Sequence, residues 1–99
     1  MHAITESEDG STIFAIGEFD VLTSSDLVEA IAEHRGRAAR TLLDLSRVTF
    51  LDSAGIGALV RSKARHAADL IIHSPSAIVE SVLRITGLNE LLLDDPPRA

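Results

Sequence analysis

Two hydrophobic periods alternate along this chain, and each change of period marks an element. From Thr12 to Glu18, Ile13, Ala15 and Gly17 alternate with Phe14 and Ile16, and the turn-forming Glu8-Asp9-Gly10 separates this run from Ala3-Ile4-Thr5. That pattern predicts a β-hairpin. Leu27, Val28 and Ile31 then form a helical stripe that stops before Gly36, and Thr23 with Asp26 three residues on approximates a capping box, so a first helix is predicted around 24–35. Arg40-Thr41-Leu42-Leu43-Asp44-Leu45 is apolar and short; periodicity alone does not separate it from a helix, but its neighbours favour a buried strand.

Beyond Gly55, the residues Ile56, Leu59, Val60, Ala64 and Ala67 recur at helical spacing, with Arg61, Ser62, Arg65 and His66 expected on other faces and the helix expected to end near Ala68. Leu70-Ile71-Ile72-His73 reads as a short buried strand. Ser74-Pro75-Ser76 introduces a third helix, on which Ile78, Val79, Val82 and Leu83 are expected to share a face and which Gly87 stops. Leu88, Leu91 and Leu92 are expected to fold back on the core as a short helix, and residues 94–99, with two prolines, to form a frayed tail. The order ββαβαβα predicts an α/β fold built on a mixed four-stranded sheet, with three main helices and a short C-terminal one, because right-handed crossovers make sequential strands parallel neighbours. Ligand-facing loops of such a sheet lie at the strand C-terminal ends. Two of them, Glu18-Phe19-Asp20 and Thr49-Phe50-Leu51-Asp52-Ser53, each lead into a helix and are expected to converge on one edge.

Composition narrows the class of function. A chain of 99 residues suits one domain, 1–99, with one core. Nine basic against fifteen acidic residues give a formal charge of −6, the wrong sign for broad neutralisation of nucleic-acid phosphates. Only 35–40 and 61–65 are locally basic, and Arg61, Lys63 and Arg65 read as a solvated helix face. The absence of cysteine removes disulfide and thiolate chemistry, and the N-terminus lacks a basic segment followed by an apolar one, which favours a cytoplasmic location. No apolar run approaches the roughly 20 residues that span a bilayer, so no membrane insertion is expected. His2, His34, His66 and His73 form no close ligand pair on a predicted face, and neither a metal nor a cofactor is expected.

Candidate chemistry concentrates between Leu42 and Val60, where a strand-like run ends in Asp52-Ser53-Ala54-Gly55 and a helix begins. Amides of a first helical turn lack intrahelical acceptors and the dipole is positive there, so a phosphate on Ser53 would meet a favourable field. Read locally, Ser53 is better explained as an N-cap, a position that serine favours, than as a phospho-acceptor. A hydrolase nucleophile would sit in a Gly-x-Ser-x-Gly elbow with a histidine base, and neither is evident, so no catalytic residue is expected. Gly55 and Gly57 read as permissive positions for close backbone approach.

Gly17-Glu18-Phe19-Asp20, the segment from Leu43-Asp44-Leu45-Ser46 through Val48 to Gly57, and Thr86-Gly87-Leu88 together resemble the sulphate transporter and anti-sigma-factor antagonist (STAS) domain, in the right order and over nearly the whole chain. With no transporter portion, the chain looks like the stand-alone bacterial form, an anti-sigma-factor antagonist. The resemblance implies partner switching. The unphosphorylated antagonist binds an anti-sigma factor with a histidine-kinase-like ATPase fold and serine kinase activity, which frees the sigma factor; the kinase, using its own ATP and magnesium, phosphorylates the antagonist's serine, here Ser53. A metal-dependent serine phosphatase is expected to reset it. Ala54 stands where many relatives have a second serine. Asp20, Asp52, Ser53, Gly55 and Ile56 are then the expected partner surface, although Asp20 also suits a loop or helix cap and Asp52 the positive end of the second helix. The same family offers a different role, a STAS subunit of a membrane-associated lipid-transport complex.

Overall fold

The hairpin turn is built by one carboxylate. Asp9 Oδ1 accepts from Ser7 Oγ at 2.7 Å, Ser11 Oγ at 2.8 Å and Ser11 N at 3.1 Å, and Gly10 supplies the positive φ of +72° that the reversal requires. These donors, the Ser7 hydroxyl first, hold the Asp9 carboxyl at a pKa of about 2. Around this turn a computed structural model describes residues 1–94. Strand β1 (His2–Glu6) leads to β2 (Thr12–Phe19), α1 (Ser24–Arg35), β3 (Thr41–Leu51) and α2 (Ser53–His66). After a 3-10 turn at Ala67–Asp69 follow β4 (Leu70–His73), α3 (Ala77–Ile85) and α4 (Asn89–Leu92). The sheet order is β1-β2-β3-β4, with β1 antiparallel to β2 and the other pairs parallel, as the element order predicts.

One face of this sheet carries the helices. Ile13, Ala15, Leu43, Leu45, Leu70 and Ile72 alternate along the strands and form one buried cluster with Leu27 and Ile31 of α1, Leu59 of α2, Val79 and Leu83 of α3 and Leu92 of α4. Burying a side chain of this size contributes about 1.5–3 kcal/mol, which is why the period-2 signal decides the orientation of every strand. The intervening Phe14, Ile16, Leu42 and Ile71 are half-buried on the opposite face, where the Arg47 guanidinium lies 5.3 Å from the centre of the Phe14 ring. Register shifts between β2 and β3, after Phe14 and after Gly17, bring Phe19 and Leu51 into pairing, and both are buried.

His34 ties three segments together. Its Nε2 faces the carbonyl of Gly10, an acceptor only, so that nitrogen carries the proton; Nδ1 meets Thr41 Oγ1 at 2.7 Å. The turn, the end of α1 and the start of β3 are thereby joined inside the core, which gives this histidine a structural role. Among the described residues, no group of three or more His, Cys, Asp or Glu side chains gathers to hold a metal ion, and no helix is long and apolar enough to cross a membrane.

Four expectations are corrected. The capping box at α1 does not form: Thr23 is the N-cap residue but makes no side-chain cap bond, because its hydroxyl is engaged in the preceding loop. On α2 the buried stripe is Gly55, Ala58, Leu59 and Ser62, while Ile56 and Val60 are half-buried and Ala64 and Ala67 exposed. Apolar periodicity weights large side chains, whereas close approach to the strand ends selects small ones. On α3 only Val79 and Leu83 are buried; Val82 is intermediate and Ile78 is exposed, since a single helix edge meets the core. Asp94 is not frayed. Its backbone N donates to Ile72 O at 2.8 Å, and its Oδ2 accepts from Ile72 N and Lys63 Nζ, each at 2.8 Å, so it covers the outer edge of β4. The rest of the expected tail, 95–99, lies outside the described residues. The Gly87 stop does form: with φ +74°, its N–H reaches Arg84 O at 3.1 Å and the Leu88 N–H reaches Leu83 O at 2.8 Å, the paired bonds of a Schellman turn.

Candidate functional site

Parallel pairing carries β2 and β3 to the same edge. Phe19 pairs with Leu51, and Asp52 N donates to Phe19 O at 3.4 Å, so the loop beginning at Asp20 and the turn at Asp52 lie side by side. The two expected loops therefore converge.

Only Asp52 separates β3 from α2. Its backbone is extended (φ −104°, ψ −169°) and its Oδ1 accepts from Ala54 N at 2.9 Å and Gly55 N at 3.1 Å. Asp52 is thus the N-cap, and Ser53 is not. Ser53 occupies the first helical position with its side chain exposed. Gly55 is buried, and a methyl group there would lie 2.6 Å from Phe19 O and closer still to Leu51 Cδ1. It offers a partner no side chain; its absent Cβ lets α2 start against the strand ends. Ile56 is half-buried and packs against the core cluster.

Asp20 does different work. Its Oδ1 accepts from Leu22 N at 2.9 Å and Thr23 N at 3.2 Å, while Thr23 Oγ1 accepts from Asp20 N at 3.0 Å and has Glu18 O and Asp20 Oδ1 within reach of its single proton. The Leu22 N–H is the largest effect and holds the Asp20 carboxyl below its ordinary pKa; burial opposes it, and the two Thr23 donors add smaller lowering effects. This closed loop presents Val21 and Leu22 outward at 75% and 83% exposure. Large apolar side chains so exposed, next to an exposed hydroxyl, are what a protein-binding surface offers. Neither residue is among those the sequence pattern points to, although a signal is there: two apolar residues fall between a strand end and a helix start and belong to neither stripe. Phe50, within β3 and paired with Glu18, adds a further exposed apolar side chain, at 46%, in a segment the sequence does point to.

The site presents exposed side chains. A cavity of about 560 Å³ lies elsewhere, lined by Ser74, Pro75, Glu80, Arg84, Asn89, Glu90, Leu93 and Asp94, and none of Asp20, Asp52 or Ser53 borders it. What the edge can supply is an exposed primary hydroxyl, two carboxylates locked by local donors, and an apolar pair.

The model of the family described as "Mlab, STAS domain" matches residues 2–94, nearly the whole chain. The chain belongs to the STAS domain family. Solved structures share the fold of this STAS domain. An anti-sigma factor antagonist from Mycobacterium paratuberculosis superposes with a TM-score of 0.74 at 21% identity, over 93% of this chain and 81% of that one. The anti-sigma factor antagonist SpoIIAA in its unphosphorylated form gives 0.66 at 21% identity, over 99% and 90%. SpoIIAA described as the Bacillus cell fate determinant, in its phosphorylated form, gives 0.60 at 21% identity, over 99% and 93%. The STAS domain here shares with them the mixed four-stranded sheet and its helices.

Proposed function

We propose that this chain is an anti-sigma-factor antagonist that binds an anti-sigma factor with serine kinase activity and is switched off by phosphorylation of Ser53. The observation that carries this reading is the division of roles at the start of α2: Asp52 does the capping, so the exposed Ser53 hydroxyl is not needed to hold the helix. The existence of SpoIIAA in phosphorylated and unphosphorylated forms on the same fold supports it.

In the forward step Ser53 Oγ forms a bond to the γ-phosphorus of ATP held with magnesium by the kinase, the bond to ADP breaks, and the hydroxyl proton leaves to a base on the kinase or to water. This chain contributes the nucleophilic oxygen and the docking surface; a metal-dependent serine phosphatase would reverse the step with water. The modification adds about 1.5–2 negative charges. If the docked partner places an acidic group about 6 Å from a dianionic phosphate, the repulsion is roughly 1.4 kcal/mol at ε ≈ 80 and about 5.5 kcal/mol at ε ≈ 20. That range weakens binding roughly tenfold to ten-thousandfold. Stripping water from the phosphate acts in the same direction.

Incubation with the cognate kinase, ATP and magnesium is expected to add one phosphate that maps to Ser53 by peptide mass analysis. Ser53→Ala should bind the kinase constitutively, and Ser53→Asp should bind it more weakly; no added phosphate, or one elsewhere, would sink the proposal. A second reading, a subunit of a membrane-associated lipid-transport complex, draws on the same exposed Val21 and Leu22, which would serve a constitutive partner equally well. It predicts a stable complex whose affinity is indifferent to Ser53→Asp.

A further inference from the structure

We infer that Arg61 is the internal counter-charge that receives a phosphate on Ser53; this rests on Ser53 being the phosphoacceptor. The usual seat for such a phosphate is the helix N-terminus, where free amides and the dipole attract anions. In α2 that seat is taken. Asp52 Oδ1 already accepts from Ala54 N and Gly55 N, so a carboxylate charge sits at the positive end of the helix, one residue before Ser53. A phosphate there finds the Ala54 and Gly55 amides already engaged and meets a like charge. Asp20, the charged residue of the adjoining β2–α1 loop, is a second carboxylate and brings no compensation.

The compensation comes from further along the helix. Ser53, Gly57 and Arg61 are spaced by four residues and lie on one face of α2. Gly57 carries no side chain, and the Arg61 guanidinium occupies the room this leaves: Nη1 lies 3.1 Å from where a Cβ on residue 57 would be. A long helical side chain leans toward the helix N-terminus, which here is toward Ser53. Arg61 Cα is about 12 Å along the axis from Ser53 Cα at 1.5 Å per residue, a gap that an extended arginine and a phosphoserine reaching toward each other can close. Arginine pairs with phosphate through two parallel N–H donors, the strongest simple match for that anion. Lys63 does not compete, because it is held by Asp94. The phosphate would then lie along α2 over Gly57, covering part of the surface that the unphosphorylated chain offers a partner.

Ionisation of the phosphate reads this contact directly. Phosphoserine placed at position 53 by genetic incorporation needs no kinase, so failure here is distinct from failure of the kinase assay. Titrated by ³¹P NMR at low salt, its second pKa starts from an ordinary value of about 6. A cation about 4 Å away, as such a pair places it, lowers that value by roughly three-quarters of a pH unit in water. Arg61→Gln is therefore expected to raise the pKa by about that amount, Gly57→Leu, which fills the path, to raise it as well, and Asp52→Asn, which keeps an acceptor but loses the charge, to lower it. Arg65→Gln, one turn further on, should leave it in place. No change in Arg61→Gln, or an equal change in Arg65→Gln, overturns the inference. Arg61 is exposed, and circular dichroism of each variant confirms the fold before titration.

Discussion

Asp20 and Asp52 occupy matching places, each one residue past the end of one of two adjacent parallel strands, yet only one of them caps a helix. Asp52 passes the chain straight into α2, with its carboxylate on the first free amides. Asp20 spends its carboxylate on Leu22 and Thr23, and α1 begins four residues later without a side-chain cap. What separates them is the sequence that follows. At α2, Gly55 allows the helix to start in contact with Phe19 and Leu51. At α1 no such glycine exists, so the chain steps outward and the step exposes Val21 and Leu22. One helix start is tight and positions a hydroxyl; the other is open and presents an apolar pair. Both belong to the same surface.

The sharpest way to break this comparison is Gly55→Ala. The added methyl would meet a backbone carbonyl that cannot move aside, and overpacking of this kind costs about 1–3 kcal/mol. Since each 1 kcal/mol shifts Tm by about 4–8 °C in a domain of this size, the upper end predicts a fall of more than about 10 °C in a thermal melt. Gly57→Ala is the control: among the described residues its one close neighbour is the flexible tip of Arg61, and removing a glycine from a helix is worth about 0.5–1 kcal/mol in the other direction.

A smaller loss is expected from Asp52→Ala, about 1 kcal/mol for a missing N-cap, read as a lower urea midpoint. Asp52→Ser should recover most of it. If Asp20→Ala proved as destabilising as Asp52→Ala, the proposed difference between the starts of α1 and α2 would collapse.

Acid titration tests the Asp20 side of the comparison. Asp20 has a folded-state pKa below its ordinary value of 3.8, so its contribution is fully present above that value and is lost as pH falls through the lowered one. Asp9, held at about 2, behaves in the same sense, so the two share the acid limb of the stability curve. Asp20→Asn should flatten the decline below about pH 4 in urea midpoints measured down to about pH 2, lowering the midpoint most at about pH 7, where the carboxylate contribution is fully present, and least at about pH 2.

The smallest effect on stability belongs to Leu22→Ser. At 83% exposure the side chain packs on little, and a change within about 0.5 kcal/mol is expected. Binding should move instead: loss of an apolar anchor is expected to weaken the complex with the proposed kinase partner severalfold in calorimetry, with the melt unchanged. An unaltered affinity would remove the β2–α1 loop from the partner surface.

The sheet is legible in the sequence because its signal is local and repeated. Period-2 burial at Ile13 and Ala15, the Gly10 turn and the helical run up to Gly36 each constrain a few neighbouring residues, and each holds in the fold. The orientation of α2 is less legible. Large apolar residues at Ile56 and Val60 dominate the pattern, but Gly55, Ala58 and Ser62 face inward because the space between α2 and the strand ends admits only small groups. Asp94 escapes a local reading for a similar reason, since its hydrogen-bonding partners, Ile72 and Lys63, are 22 and 31 residues away.

By itself the sequence determined the order of elements, the mixed sheet, the resemblance in Asp52-Ser53-Ala54-Gly55 and the Ser53 hydroxyl as the group of interest. These follow from patterns a few residues long, in which side-chain size and turn chemistry act on the nearest backbone. Tertiary structure alone decided that Asp52 and not Ser53 holds the helix end, that Val21 and Leu22 stand out beside it, and that the Arg61 guanidinium lies over Gly57. Each of those outcomes depends on which groups compete for the same donors and the same space once β2 and β3 are paired, and that competition exists only in three dimensions.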